Sequence, residues 1–499
     1  MISLPLFSTT TWTLIVLALT LLLLCGIWPY NFFKKMGVPG PRPWPFVGTM
    51  LHSYAGPLLF ERKCKEKYGD VWGQFDGRAP LLMIADPDLL KAVLVKECYS
   101  TFTNRRVFAK ELFGPLKDGM TMVEDDKWKR IRSTVSPSFT SGRLRQIFPI
   151  VERYADRLVK TIDEKLLGQS VDVKKFVASY SMDVMASAAF SVDTDTTNNP
   201  ESTLSIQLKN LLKFKIWPFF VLFVLPFTVP LFSLIGLSLM NKHSVDFFYK
   251  LIKRFKHEHK DDKSVHSDFL QLMIESEIQE SDIKDGVEPS KGLTDPEILS
   301  QAFIFLFGGY DTTSTTLAYI LYSMALNPDV LRTLQHEIDV NFPKDSPVSY
   351  EALMNMEYLD NVMSESMRLL PTAPRLERVC KKNIRLNGID IPKGTVVGAP
   401  VNCLHRDPRY WSSPEVFKPE RFSKDSGEDI NPYAYMPFGL GPRNCVGMRF
   451  ALMVMKMILV RFLQDHSVET CKDTLVPLEF NMFFIPKNPV KLKFSRREM

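Results

Sequence analysis

The sequence predicts a mainly α-helical protein with minor β structure and an N-terminal transmembrane helix. Three observations carry that prediction. Met1 to Phe33 contains no charged side chain. Helical patterning dominates from Pro57 to Lys382. Only two hairpins stand out by their turn residues: Asp76-Gly77 between Val71–Phe75 and Ala79–Ile84, and Asn387-Gly388 between Ile384–Leu386 and Ile389–Ile391. A chain of 499 residues also has ample sequence for a large core. The formal charge of +6 is mild, with no lysine-arginine block, so nothing calls for nucleic acid.

The apolar centre of the first segment, Trp12 to Trp28, is long enough to cross a bilayer, for which roughly 17–25 residues suffice. Lys34 and Lys35 follow it, and the positive-inside rule then puts the bulk of the chain on the cytosolic side. A cleaved signal peptide is the alternative. The apolar centre exceeds a signal core, and no small-x-small site follows it. The chain divides into an anchor (1–35), a Pro-rich hinge (36–45) stiffened by its prolines, and one large domain (46–499).

Ile216 to Met240 is a second uncharged run. A second span is the alternative reading, but Pro218, Pro226 and Pro230 each remove a helix donor. We expect short broken helices forming an apolar lid, about 211–240, that dips into the membrane surface. Ile298 to Leu326 is the third run, with Asp311 its only charge. Thr294-Asp295-Pro296-Glu297 supplies a cap, a first-turn proline and a reciprocal glutamate. Asn327-Pro328 ends the run. The expected helix has roughly 30 residues and a length of about 45 Å. Apolar on every side, it is expected to run fully buried through the core. The charged stretches Lys256–Lys263 and Glu275–Lys291 read as surface loops or helix ends.

The seven cysteines are an odd number, scattered and without any C-x-x-C, which argues against a disulfide framework or a structural zinc site. They indicate a reducing compartment. One of them, Cys445, sits in Phe438-Gly439-Leu440-Gly441-Pro442-Arg443-Asn444-Cys445-Val446-Gly447. Glycines there let backbone N–H groups approach the sulfur, which tunes a metal–thiolate bond. Taken alone, a cysteine in a Gly-rich turn is usually structural or incidental. The ten-residue pattern F-x-x-G-x-R-x-C-x-G, however, resembles the haem-binding loop of the cytochrome P450 enzymes.

Two further segments carry the same resemblance. Gly308-Gly309-Tyr310-Asp311-Thr312-Thr313 is similar to the family's [A/G]-G-x-[D/E]-T-[T/S]. Mid-helix glycines cost about 1 kcal/mol each against alanine, which makes sense where a flat cofactor or dioxygen approaches the backbone. Glu365-Ser366-Met367-Arg368 with Pro419-Glu420-Arg421-Phe422 resembles the E-x-x-R and downstream arginine motifs. The resemblance covers essentially the whole chain and is nearest to the vertebrate family-3 enzymes that oxidise drugs and steroids. Asp311 stands where those relatives usually carry glutamate, and Pro374 and Met482-Phe483-Phe484 also differ from them.

The resemblance implies a cytochrome P450 fold: a large helical haem domain with small β-sheets. It implies haem b with Cys445 as axial thiolate, pushing electron density onto iron to favour O–O cleavage. Phe438 and Arg443 of the loop would contact the cofactor. Trp128 and Arg132, at i,i+4 on one helical face, resemble the W-x-x-x-R helix that binds a haem propionate. Arg105 and Arg378 resemble propionate partners by position. Asp311 and Thr312 would relay protons. Glu365, Arg368 and Arg421 would brace the loop as a buried charge network. Phe108, Phe113, Phe219, Phe220, Phe307, Thr372 and Ala373 are the expected substrate-pocket residues.

The implied activity is NADPH-dependent monooxygenation of lipophilic steroids, drugs and xenobiotics at the endoplasmic reticulum membrane. No G-x-G-x-x-G opens a βαβ unit, so electrons must come from another protein. The expected donors are NADPH–cytochrome P450 reductase and cytochrome b5. Lys127, Lys129, Arg130 and Arg449 are expected to form the basic patch that docks an acidic partner. A haem-thiolate isomerase and a membrane-anchored haem carrier are the alternatives.

Overall fold

The computed structural model describes residues 8–54, 56–107, 109–199, 201–211, 216–225, 228–261, 268–283, 288–343, 346–481 and 484–497. Helix α1 (Thr9–Ile27) starts at Ser8, whose hydroxyl accepts the Thr11 N–H at 3.2 Å. Its leucines are exposed, and with the turns to Lys35 it is long and apolar enough to cross a membrane. Its C-terminal end is seated on the rest of the protein. The Phe46 ring packs against Gly26, where a Cβ would collide. Tyr30 Oη accepts the Gly48 N–H at 3.0 Å, and Phe33 is 4% exposed beneath the first strand. Pro39 O accepts the Gly73 N–H at 2.8 Å, so the Pro-rich segment also lies along that strand.

After α2 (Pro57–Tyr68) come β1 (Val71–Asp76) and β2 (Ala79–Ile84), the hairpin its Asp-Gly turn predicts. Then follow α3 (Asp125–Val135), α4 (Ser141–Lys165), β3 (Ser170–Asp172) and α5 (Val173–Phe190). The second apolar run forms two short helices, α6 (Ile216–Val224) and α7 (Val229–Leu234), with Pro230 in the first turn of α7. Helix α8 (Lys242–Asp261) reaches into the first charged stretch. Lys256 departs from the solvated expectation there. It is buried and pairs with Glu277 and Asp295, because its charge is neutralised between them.

The third run is α9 (Asp295–Leu326), 32 residues with the expected Thr294/Glu297 capping box. Its burial is discontinuous, which corrects the fully buried expectation. The residues on either side of 307–312 are mostly buried, whereas that window is open, and Thr312 is exposed. The helix is thus a core element with one less buried stretch, and Asp311 and Thr312 lie at the end of it. It packs closely on α5: a Cβ on Gly309 would strike the Met185 side chain.

Pro328 opens α10 (Pro328–Asn341) directly. Helix α11 (Glu357–Leu369) is held at its start by Glu337, whose carboxylate accepts the Tyr358 and Leu359 N–H groups at 2.8 and 2.9 Å. Strands β4 (Arg375–Val379), β5 (Ile384–Leu386), β6 (Ile389–Ile391) and β7 (Val396–Pro400) lead into the single turn α12 (Val401–Leu404). Asn387 and Gly388 take φ of +45° and +82°, as an Asn-Gly hairpin turn needs. Helix α13 (Met448–Asp465), β8 (His466–Glu469) and β9 (Lys491–Arg496) complete the chain.

The sheets are small. One runs β1-β2-β7-β4, with β2 and β7 parallel and the other pairs antiparallel. The others are β3-β9-β8 and β5-β6. The largest apolar cluster surrounds α9 and includes residues from α4, α5 and α13. A second fills the space between β1, β2, β7 and α2.

Candidate haem-thiolate site

The Cys445 loop joins the chain after Met436 to the start of α13. Cys445 N donates to Phe438 O at 2.9 Å, and Gly439 N to Met436 O at 3.0 Å. Gly439 and Gly441 take φ of +73° and +70°. Gly441 has a second constraint, since a Cβ there would run into the Leu94 carbonyl. Phe438 is half-buried. Cys445 is exposed by area, yet surrounding atoms desolvate the thiol and push its pKa up, against the Gly447 N–H and the charges of Arg132 and Arg105. Both facts hold if the sulfur opens into a recess rather than onto bulk water.

Arg105, Arg378 and Arg443 converge beside it. Arg105 Nη2 donates to Arg443 O at 3.1 Å, Arg443 Nη2 to Val123 O at 2.8 Å, and Arg378 Nη1 to Glu377 O at 2.8 Å. The Nε atoms of Arg378 and Arg443 are buried and find no partner among the described residues. Burial, then repulsion from Arg105, pushes Arg378 down to about 10. Burial and the charges of Arg105 and Arg378 push Arg443 down to about 9. Buried cations left without a carboxylate are costly. Such a cluster suits an anionic group with several oxygens, and the two propionates of a haem fit that requirement.

Trp128 and Arg132 share a face of α3, and both reach the Cys445 loop. The centroid of the Trp128 ring lies 4.4 Å from the Arg443 guanidinium carbon. Arg132 donates to Asn444 O and Asn444 Oδ1, both at 2.9 Å. The expected basic patch needs correction. Arg130 is 1% exposed and grips Glu297 at 2.8 Å through two nitrogens, with Glu288 beside it. Lys127 turns to Asp118 and Glu297 at 2.8 and 3.3 Å. Arg130 and Lys127 are thus neutralised by Glu297, Glu288 and Asp118, which leaves Arg449 exposed and Lys129 half-exposed and paired with Asp126 at 2.8 Å.

Glu365, Arg368 and Arg421 meet with no side-chain exposure at all. Glu365 accepts from Arg368 at 2.7 and 2.8 Å and from Arg421 at 3.1 Å. Glu428 completes the network with Arg421 at 3.0 Å, and against burial the Ser412 hydroxyl and then Arg421 hold its carboxyl below the usual range. No local spacing announces Glu428, which lies in a charged loop. Asn444 and His405 are equally silent in the sequence.

On α9, a Cβ added to Gly308 would meet no atom within 4 Å, so the helix is open there. The other glycine, Gly309, serves the contact with Met185, not a cofactor approach. Thr312 Oγ1 donates to Gly308 O at 2.7 Å. Asp311 is not the buried acid expected: it is half-exposed and pairs with Lys174 of α5 at 2.9 Å.

Among the expected pocket residues, Phe113 and Phe307 are half-buried against the core around α9. Thr372 bonds Thr316 of α9 at 2.7 Å, and Ala373 is exposed. Phe108, Met482, Phe483 and the side chains of Phe219 and Phe220 lie outside the described residues. Phe484 takes φ of +61° under the Arg375 guanidinium. Pro374 O accepts the Asn402 N–H at 3.3 Å.

The sequence model of the family described as Cytochrome P450 matches residues 38–494. The chain is 49% identical over 500 residues to cytochrome P450 3A27 of Oncorhynchus mykiss, covering 99% of this chain and 96% of that protein. It is 49% identical to cytochrome P450 3A56 of Fundulus heteroclitus over 98% of both chains. With cytochrome P450 3A29 of Sus scrofa the identity is 47%, over 99% of this chain and 98% of the other. With the exposed apolar α1, these matches describe a membrane-anchored enzyme. The loop, the arginine cluster and this full-length similarity place the chain in the cytochrome P450 family, the haem-thiolate monooxygenases.

Proposed function

We propose that Cys445 is the axial thiolate and that the enzyme inserts one oxygen atom of O2 into steroids, drugs and other lipophilic molecules. The observation that carries this reading is the cluster of Arg105, Arg378 and Arg443 beside the Cys445 loop, Arg378 and Arg443 buried and Arg105 half-buried, which among the described residues has no ion-pair partner and suits propionates. When bound, the haem supplies dioxygen activation and oxygen transfer. The protein's share is ligation, proton access and substrate placement. Phe438 packs at the loop, and Trp128 and Arg132 hold Arg443 and Asn444 in register. Asp311, reached by solvent and by Lys174, brings protons to the Thr312 hydroxyl at the open stretch of α9. Phe113, Phe307, Thr372 and Ala373 line the substrate space, with Phe108, Phe219 and Phe220 completing it.

Residues 1–35 anchor the chain in the endoplasmic reticulum membrane, and 46–499 form the catalytic domain on the cytosolic side. The lid at about 211–240 dips into the lipid surface, in keeping with the exposure of Trp217, Leu231, Leu234 and Ile235. Electrons come from NADPH through the membrane-bound reductase, with cytochrome b5 as a second donor. Arg449 and Lys129 contribute to that docking, so the reductase KM rises with salt. A salt-independent KM would remove them from it.

The test is the carbon monoxide difference spectrum of the reduced protein, which should report a thiolate and lose that signature in Cys445→Ser. A histidine-type spectrum, or one unchanged in the variant, defeats the assignment. NADPH-dependent, dioxygen-dependent oxidation of an apolar steroid excludes a haem carrier. Product formed only from a hydroperoxide would favour an isomerase.

A further inference from the structure

His405 follows α12 and is completely buried, yet no motif draws attention to it. Its ring bridges the buried charge network and the approach to the Cys445 loop. On one side, Nδ1 lies 3.1 Å from the Arg368 carbonyl oxygen, while the Arg368 guanidinium donates to the His405 carbonyl at 2.6 Å. On the other side, the Met436 N–H points to Nε2 at 3.0 Å. A carbonyl only accepts and an amide N–H only donates. The two partners therefore dictate the tautomer: Nδ1 carries the proton and Nε2 is the acceptor.

The neighbours keep the ring in that role. Tyr435 lies tilted against it at 5.2 Å between centroids, and its hydroxyl donates to Ser364 O of α11 at 3.0 Å. Burial, with Arg368 and Arg406 nearby, pushes the imidazole down to about 3, so the ring stays neutral across the working pH range. Met436 in turn passes the constraint on. Its carbonyl accepts Gly439 N, and two residues after Met436 the Phe438 carbonyl accepts Cys445 N.

We infer that His405 is a positioning residue for the haem ligand: through its Nε2 it pins Met436 and so sets the Cys445 loop against the Glu365–Arg368–Arg421 network. The inference rests on Cys445 as the ligand, but the pinning has its own readout in the exchange of the Met436 amide.

The two ring nitrogens are tested separately. In His405→Asn the side-chain amide reaches where Nδ1 sits and keeps only the bond to Arg368. In His405→Gln the amide reaches where Nε2 sits and keeps only the acceptor for Met436. Hydrogen exchange of the Met436 amide is measured in both haem-loaded variants, beside the carbon monoxide difference spectrum. Gln should keep the parental protection and thiolate band. Asn should speed exchange by about five- to tenfold, the loss of one buried hydrogen bond, and shift part of the band away from the thiolate position. Equal behaviour of the two, or faster exchange in Gln, overturns the inference. If the Asn variant does not retain haem, the Gln variant decides alone: parental protection supports the pinning, and a tenfold rise overturns it. A failed Cys445→Ser test would leave the exchange result standing, so the two failures are distinguishable.

Discussion

The side of the molecule that carries Cys445 and the side that carries Asp311 handle charge in opposite ways. Behind the loop, Glu365, Arg368 and Arg421 show no side-chain exposure, and every one is held by several partners. On α9, Asp311 and Lys174 meet with 35% and 37% of their side chains exposed. A buried network resists rearrangement, because any separated ion is left without water. A half-exposed pair exchanges its partner for water at little cost. The first arrangement suits a fixed ligand geometry. The second suits a group that must give up and regain protons.

That contrast is broken or sharpened by substitution. The largest effect is expected for Arg421→Ala, which leaves Glu365 and Glu428 underpaired. Stability should fall by about 3–5 kcal/mol, read as a lower urea midpoint and a poor yield of haem-loaded protein. A loss under about 1 kcal/mol would mean that the network is no stiffer than a surface pair. Next is Asp311→Asn, which keeps the shape and removes the acid. Product formed per NADPH consumed should drop, with kcat down on the order of a hundredfold, while the urea midpoint barely moves. An unchanged kcat would take Asp311 out of proton delivery.

The two helix glycines should differ in sign. Gly309→Ala forces a methyl into Met185, costing about 1–3 kcal/mol. Gly308→Ala meets no protein atom within 4 Å and should stabilise the helix of the haem-free protein by about 0.5–1 kcal/mol. Thermal melts of the two variants check this, and a shared sign would contradict the packing described for α5 and α9. The smallest effect belongs to Lys174→Met. Stability should change by less than about 1 kcal/mol. A steady-state comparison of kcat in Lys174→Met and Asp311→Asn then shows whether the pair matters for turnover, and a stability loss of several kcal/mol would place it in the rigid class.

Much of this architecture can be read from residues that act locally. The capping box at Thr294 and Glu297, the Asn327-Pro328 stop and the two Gly-containing hairpin turns depend on neighbours a few positions away, and they lie where the pattern puts them. The apolar run of α9 could not disclose its open window, because a residue's hydropathy does not say what faces it. Arg130 looked like a surface cation for the same reason: Glu297, its partner, lies 167 positions away. Lys174 and His405 were hidden alike, since their roles arise only when distant segments meet, whereas Glu428 pairs with Arg421 seven positions away at a spacing that marks no regular element. The loop around Cys445 was legible because its backbone turns need glycine at particular places, and that need is written in sequence.

The joint between α1 and β1 has a mechanical consequence. Gly26 against Phe46, Tyr30 on Gly48 and Phe33 under β1 leave the anchor no free swivel. Hydrophobic mismatch in a thinner bilayer is usually relieved by tilting the helix alone. Here such a tilt would be transmitted to the whole body like torque through a locked wrist. Lipid thickness would then set how the whole body leans against the bilayer surface.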